Sequence, residues 1–333
     1  MIDCSKDLSA DAQEFPPRTN ADASGCPACG SVLNVSLEKI ELKEQHACYS
    51  EDLVIQQRLT ALCAGGSGGY QMQKCGVCGL EYAVPLRSPG TEWYGLVYEI
   101  LDLYPSRRWE FDFVLQTTPR DKSIGEFGCG NGEFLRMCRD AGLTASGVDF
   151  AQPAVEACRK AGLDAKVIDL DREMSESVPE EEHDVVVAFQ VLEHVENPKA
   201  LFFLARRWAR RGGRLWVAVP SDERPSRAYR EHDYLDQPPH HMTRWTRRAL
   251  ESVAEDTGWR FARLIREPMD ARTEIWWRTT RLPVYKFAAQ KGLLKASLIE
   301  KFVRSALLPL AWWKAWTSDR MSGQTMLAEY TKD

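Results

Sequence analysis

Residues 1–25 lack the apolar stretch of a secretory leader, because Asp3, Lys6, Asp7, Asp11 and Glu14 interrupt the segment. Nowhere in the 333 residues is there an unbroken apolar run long enough to cross a bilayer. A basic excess is missing as well. The formal net charge is −5 and the isoelectric point about 5.8, which argues against a protein built to grip a phosphate backbone. The local group Arg206, Arg207, Arg210 and Arg211 reads as the solvated face of a helix. No internal repeat is visible. Ten cysteines in a chain without a leader point to a reducing compartment, the cytoplasm, where paired cysteines hold metal rather than form disulfides.

With 44% hydrophobic and 27% charged residues, the chain can bury a full α/β core and still carry a smaller module. Residues 1–24 are polar and aperiodic and read as a disordered tail. Residues 25–88 hold four paired cysteines and a glycine-rich stretch, Ala64 to Gly69, that reads as a loop between strands. Residues 89–118 are rich in aromatics and read as a helical linker. From 119 to 333 short apolar runs alternate with amphipathic segments, as in a parallel sheet built from βαβ units. Strands are expected at 123–127, 145–149, 165–169, 183–189, 214–219, 261–266 and 325–330. Helices are expected near 131–141, 152–161, 198–211 and 246–257. A helical insertion, 274–317, precedes the last strand.

Two near-identical knuckles stand in the front module, Cys26-Pro27-Ala28-Cys29-Gly30 and Cys75-Gly76-Val77-Cys78-Gly79. A two-residue gap lets both thiolates of a pair reach one ion, and the following glycine permits the tight turn. Two such pairs supply the four soft ligands of a closed, structural Zn2+ site at Cys26, Cys29, Cys75 and Cys78. Cys48 and Cys63, between the pairs, read as small core residues.

The richest stretch is Ile124-Gly125-Glu126-Phe127-Gly128-Cys129-Gly130-Asn131-Gly132. An apolar strand runs into a turn with glycine at 128, 130 and 132, placed where open α/β sheets bind ligands. The spacing is G-x-G-x-G, not the G-x-G-x-x-G of dinucleotide enzymes. The next strand ends at Asp149, an acid placed to accept hydrogen bonds from a ribose. The third ends at Asp169, suited to an adenine amino group, and the fourth leads into Gln190 and Leu192-Glu193-His194-Val195 with Pro198.

On these residues the chain resembles the class I S-adenosylmethionine-dependent methyltransferases. Their glycine motif matches Glu126 to Gly132, their ribose acid Asp149, and the "LEHV…P" signature of the ubiquinone-biosynthesis-like branch Leu192 to Pro198. The "R-GG" turn before the fifth strand matches Arg211-Gly212-Gly213. The front resembles the "CPxCG … CxxCGLxY" module of bacterial methyltransferases from sugar, polysaccharide and natural-product pathways, at Cys75 to Tyr82. The resemblance implies a Rossmann-like α/β fold with a seven-stranded sheet, a zinc-ribbon-like module in front and a helical insertion. It implies S-adenosylmethionine as cofactor, held by Glu126, Gly128, Gly130, Gly132, Asp149, Phe150, Asp169, Leu170 and Gln190. The implied acceptor is a small molecule or glycan, methylated at oxygen or at carbon.

A hydroxyl nucleophile needs a base titrating near neutrality, for which histidine is suited. His194, His240 and His241 compete for that role, the last two in Gln237-Pro238-Pro239-His240-His241, where related sugar methyltransferases carry a histidine segment over the active site. His46 and His183 read as structural or solvated. Residues 297–316 read either as a core or homodimer helix, or as an interfacial helix in peripheral contact with the inner membrane face. Two alternatives stay open: a non-catalytic cofactor-binding scaffold, and an RNA methyltransferase, which the acidic balance disfavours.

Overall fold

A computed structural model describes residues 25–63, 68–101, 107–168, 178–227, 234–280 and 321–333, with the isolated positions 305, 306 and 309. In chain order the front holds β1 (Asn34–Ile40), α1 (Leu42–Tyr49), α2 (Leu53–Leu62), β2 (Tyr70–Cys75), β3 (Glu81–Val84), α3 (Thr91–Leu101) and α4 (Trp109–Thr117). The βα alternation follows as β4 (Ser123–Phe127), α5 (Glu133–Asp140), β5 (Thr144–Asp149), α6 (Gln152–Lys160), β6 (Asp164–Val167) and β7 (His183–Phe189). Then come α7 (Pro198–Trp208), β8 (Ala209–Pro220), β9 (Thr243–Arg244), α8 (Arg247–Asp256), β10 (Arg260–Pro268), α9 (Ala271–Thr280) and β11 (Ser322–Thr331).

The main sheet has seven strands in the order β10-β11-β8-β7-β4-β5-β6. β4 to β8 run parallel, while β11 lies antiparallel to both β8 and β10. This is a Rossmann-like mixed sheet. The chain steps outward from β4 to β5 and β6, then returns to the other side of β4 with β7. The crevice between the carboxyl ends of β4 and β7 is therefore the switch point at which such sheets take ligands. Apolar residues fill both faces: Phe127, Val186 and Leu201 on one, Ile124, Phe134 and Val187 on the other. Strands covered on both sides must be apolar throughout, and that made them legible.

The expected strands all appear, displaced by a residue or a few at their ends. The helix expected over 198–211 stops at Trp208, so Arg210 and Arg211 stand at the start of β8 rather than on a helix face. There the register slips, from His183 opposite Ala209 to Val185 opposite Arg214, and the Arg-Gly-Gly segment is the bulge that absorbs the difference. Arg210 reaches Asp184 at 3.0 Å, which ties the bulge to β7.

The front forms an antiparallel sheet in the order β1-β2-β3-β9. Its last strand, β9, comes from far downstream. The stretch between the cysteine pairs contains α1 and α2, so Gly68 and Gly69 lead from a helix into β2 instead of joining two strands. Cys63 is buried as expected, but Cys48 is exposed, because the helix α1 turns Leu42, Gln45, His46 and Tyr49 inward and position 48 to solvent. α3 buries Trp93, Tyr94, Leu96 and Val97 in the same cluster as Tyr49, Tyr70 and Met72 of the front. α4 packs Phe111 and Val114 with Phe134 and Phe189 of the main domain. Of the helical insertion, α9 is described; the expected helix over 297–316 and the tail 1–24 lie outside the described residues, apart from positions 305, 306 and 309. Among the described residues no helix is long and apolar enough to cross a membrane.

Candidate active site

The glycine turn after β4 is clamped by the end of β5. The amides of Gly128 and Cys129 both donate to Val148 O, at 2.8 and 3.1 Å. Asp149 accepts from Gly130 N at 2.8 Å through Oδ2 and from Ala151 N at 2.8 Å through Oδ1. Gly128 sits at φ +71°, and a Cβ there would lie 2.3 Å from Val191 Cγ2. The loop after β7 thus approaches this glycine closely. Without it the two lips of the crevice would be forced apart.

Unsatisfied polar atoms collect in this crevice. Glu126 Oε2 and Gln190 Nε2 are buried without a hydrogen-bond partner. Gln190 holds a left-handed backbone, φ +55°, a conformation that non-glycine side chains rarely adopt. Burial, with Asp149 as a like-charged neighbour, pushes Glu126 well above the usual carboxylate range. Burial also raises Asp149, against the pull of the Ala151, Gly130 and Phe150 amides. Each Asp149 oxygen uses one lone pair on the protein and keeps another. Such groups are costly unless a donor arrives, which is what ribose hydroxyls and an amino group supply. Phe150 is 42% exposed beside Asp149, and its ring lies 6.0 Å from that of Tyr94. Asp169 and Leu170 lie outside the described residues.

One neighbour was missed in the sequence. Glu110, on α4, is buried beside Gln190, and burial lifts its carboxyl to about 7. An acid in the first turn of an aromatic helix gives no sign of this until the helix docks.

Beyond Tyr94 lie the three histidines that competed as candidates, and the structure brings them together. One ring nitrogen from each lies within 4.8 Å of the other two. His194 follows β7; His240 and His241 are held over it by Met242 N donating to Glu193 O at 2.8 Å. His194 Nδ1 donates to His240 O at 2.7 Å, and the Tyr94 hydroxyl donates to the same oxygen at 2.9 Å. Burial pulls His240 down to about 3 and His194 well below the ordinary imidazole range, so both are neutral at pH 7. Beside them Glu193 is fully buried, and burial lifts it to about 6. His46 and His183, by contrast, are structural: His46 accepts from Trp93 Nε1 at 3.2 Å, and His183 Nε2 bonds Ser146 Oγ at 2.8 Å.

The front module frames this loop. β3 pairs with β9, setting Glu81 opposite Arg244 and Tyr82 opposite Thr243. Arg244 bridges Glu81 Oε2 at 3.2 Å and Asp236 Oδ2 at 3.0 Å, and Arg227 meets Glu81 Oε1 at 2.7 Å. Thr246 caps α8 and donates to Cys78 O at 2.7 Å. Four cysteines therefore stand directly under the strand that leads out of the histidine loop. Their sulfurs lie within 4.8 Å of one another, with Cys26 to Cys78 at 3.5 Å and Cys29 to Cys75 at 3.6 Å. The Val77 and Cys78 amides point at Cys75 Sγ, at 3.4 and 3.5 Å.

Residues 106–264 match a family of methyltransferase domains. The match makes this segment, a little under half of the chain, similar to methyltransferase domains. The ubiquinone biosynthesis O-methyltransferase of Thiobacillus denitrificans is 28% identical over 112 residues, which cover 32% of this chain and 47% of that protein. The chain thus spans about half the length of this curated relative. Among solved structures, a possible histamine N-methyltransferase from Thermotoga maritima aligns with TM-score 0.43 and 15% identity, covering 67% of this chain and 88% of that one. The geranyl diphosphate C-methyltransferase of Streptomyces coelicolor A3(2) aligns with TM-score 0.44 and 15% identity, covering 73% and 86%. The strand order, not these likenesses, carries the fold.

Proposed function

We propose that this protein methylates a hydroxyl oxygen of a small-molecule or glycan acceptor, of the sugar, polysaccharide or natural-product kind, using S-adenosylmethionine. The observation that carries the reading is the meeting of three imidazoles at the end of the crevice lined by Glu126, Asp149 and Gln190. The crevice fits the cofactor by its donor and acceptor set: buried acceptors on Glu126 and Asp149, and a free amide on Gln190. S-adenosylmethionine supplies an electrophilic methyl group when bound. The chain's own part is to hold the acceptor in line, worth up to roughly 7–11 kcal/mol, and to take its proton. The imidazole cluster stands where it can activate the acceptor hydroxyl, which gives up its proton as the carbon–oxygen bond forms and the carbon–sulfur bond breaks. The curated relative is named as an O-methyltransferase, which agrees with an oxygen acceptor.

The four cysteines are read as a structural zinc site. Zinc–sulfur bonds of about 2.3 Å place tetrahedral sulfurs roughly 3.8 Å apart, close to the 3.5 and 3.6 Å separations found here. Such an ion would stiffen β3 and, through β9, the histidine loop.

Calorimetry with S-adenosylmethionine, followed by a methyl-transfer assay against nucleotide sugars and phenolic acceptors, tests the reading. His240→Ala and His241→Ala, made singly, are expected to lower turnover at least about a hundredfold at one position while cofactor affinity holds. Wild-type turnover in both would make the loop structural and leave His194 as the candidate, and absence of cofactor binding would remove the reading altogether.

A further inference from the structure

The three imidazoles share one feature that a base does not need. In each, Nδ1 is spent on an oxygen of the protein. His194 Nδ1 donates to His240 O at 2.7 Å, His240 Nδ1 to Leu235 O at 2.9 Å, and His241 Nδ1 faces Asp236 Oδ1 at 3.3 Å. A carbonyl only accepts, so the first two nitrogens carry the proton. Asp236 is ion-paired to Arg224 and Arg244, hence ionised, and fixes the third in the same way. These bonds favour the Nδ1–H tautomer in all three rings, which leaves the lone pair of each on Nε2. His240 Nε2 is buried with no hydrogen-bond partner. A ring nitrogen tied to a carbonyl or carboxylate is the arrangement that orients metal-binding histidines. A single catalytic base would need it once.

A second observation points to the same ligand. Glu193 is wholly buried, neither carboxylate oxygen has a hydrogen-bond partner, and Oε1 lies 4.0 Å from His241 Nε2. An orphaned carboxylate beside three clustered imidazoles, one with a buried and unpartnered Nε2, is an arrangement in search of a cation. Nitrogen bonds of about 2.0–2.1 Å place three nitrogens around one ion roughly 3.3–3.6 Å apart. One ring nitrogen from each histidine already lies within 4.8 Å of the other two, so the set must draw in by about an ångström around an ion.

We propose that His194, His240 and His241 bind a divalent transition-metal ion, separate from any ion at the four cysteines. Glu193 lies at its edge, and at least one coordination position is left open. Imidazole donors suit zinc, iron, nickel or copper. Resting on the methyltransferase reading above, the open position takes the acceptor's hydroxyl oxygen; the metal acidifies that hydroxyl, and its proton passes to the Glu193 carboxylate. A metal-bound Nε2 cannot also accept a proton, so this site replaces the single-base role rather than adding to it.

The test is a Co2+ titration of the full chain with its cysteine site loaded with zinc, followed by calorimetry and visible absorption. We expect one further equivalent of Co2+, with ligand-field bands and no thiolate charge-transfer band. His240→Gln and His241→Asn should each weaken it at least about tenfold without changing the zinc content. If His240→Gln does not fold, judged by circular dichroism, His241→Asn decides. No second equivalent in the wild type, or wild-type Co2+ affinity in the folded variants, overturns the proposal. S-adenosylmethionine titrated into the same wild-type sample separates the two readings. Cofactor binding without Co2+ leaves the methyltransferase and removes this site; Co2+ binding without the cofactor does the reverse.

Discussion

Replacing Asp149 with asparagine changes one oxygen into an amide group and little else in shape. In the native chain both oxygens are committed, Oδ2 to Gly130 N and Oδ1 to Ala151 N, each at 2.8 Å. Whichever way the asparagine turns, its NH2 faces one of these backbone N–H groups, and a charge-assisted bond becomes a clash of two donors. Losing one such bond costs about 1.5–3 kcal/mol, and the loss appears without any ligand, as a lower urea midpoint. The cofactor feels a second, separate loss. The lone pairs that remain on the carboxylate are the acceptors offered to the ribose, and a neutral amide presents one acceptor fewer. That again removes about 1.5–3 kcal/mol, or roughly a 10- to 150-fold rise in Kd. Calorimetry on the folded variant reads the second term, and urea unfolding of the ligand-free protein reads the first. An unstable variant that binds S-adenosylmethionine with wild-type affinity would refute the placement of the cofactor, because Asp149 would then be only a clamp for the turn.

Elemental analysis should find about one zinc held by Cys26, Cys29, Cys75 and Cys78; Cys26→Ser should lose it and loosen the front sheet, and a metal-free, fully folded protein would contradict the site. His46 is buried between Thr60 and Trp93, and burial lowers it to about 4 from 6.5. The unfolded chain therefore binds the extra proton between those values. Stability from this group is complete above pH 6.5 and is lost as pH falls toward 4, by about 3 kcal/mol. The variant His46→Gln should show a flatter stability profile over that window; curves that fall in parallel would mean His46 is not held neutral.

The sequence alone determined the sheet, because strands covered on both faces must be apolar throughout and the helices between them amphipathic. Ser123–Phe127 and His183–Phe189 could be read to the residue for that reason. It also determined the glycine turn, whose spacing reflects backbone angles, and the two cysteine knuckles, in which the thiols of each pair are near neighbours along the chain. Short-range chemistry of this kind is written locally. The tertiary structure alone decided what depends on distant segments meeting. Cys48 and Cys63 looked alike until helix phase exposed one and buried the other, and Gly128 proved to make room for Val191. Glu110 joined the crevice only when its helix docked. Three histidines that appeared to be rivals for one role became one cluster, because the return of the chain after β8 lays residues 240 and 241 over residue 194. β9 then closes the cysteine module's sheet, so the frame of the histidine loop is built from both ends of the chain. No pattern along the sequence encodes such a meeting; it follows from the order in which strands pair.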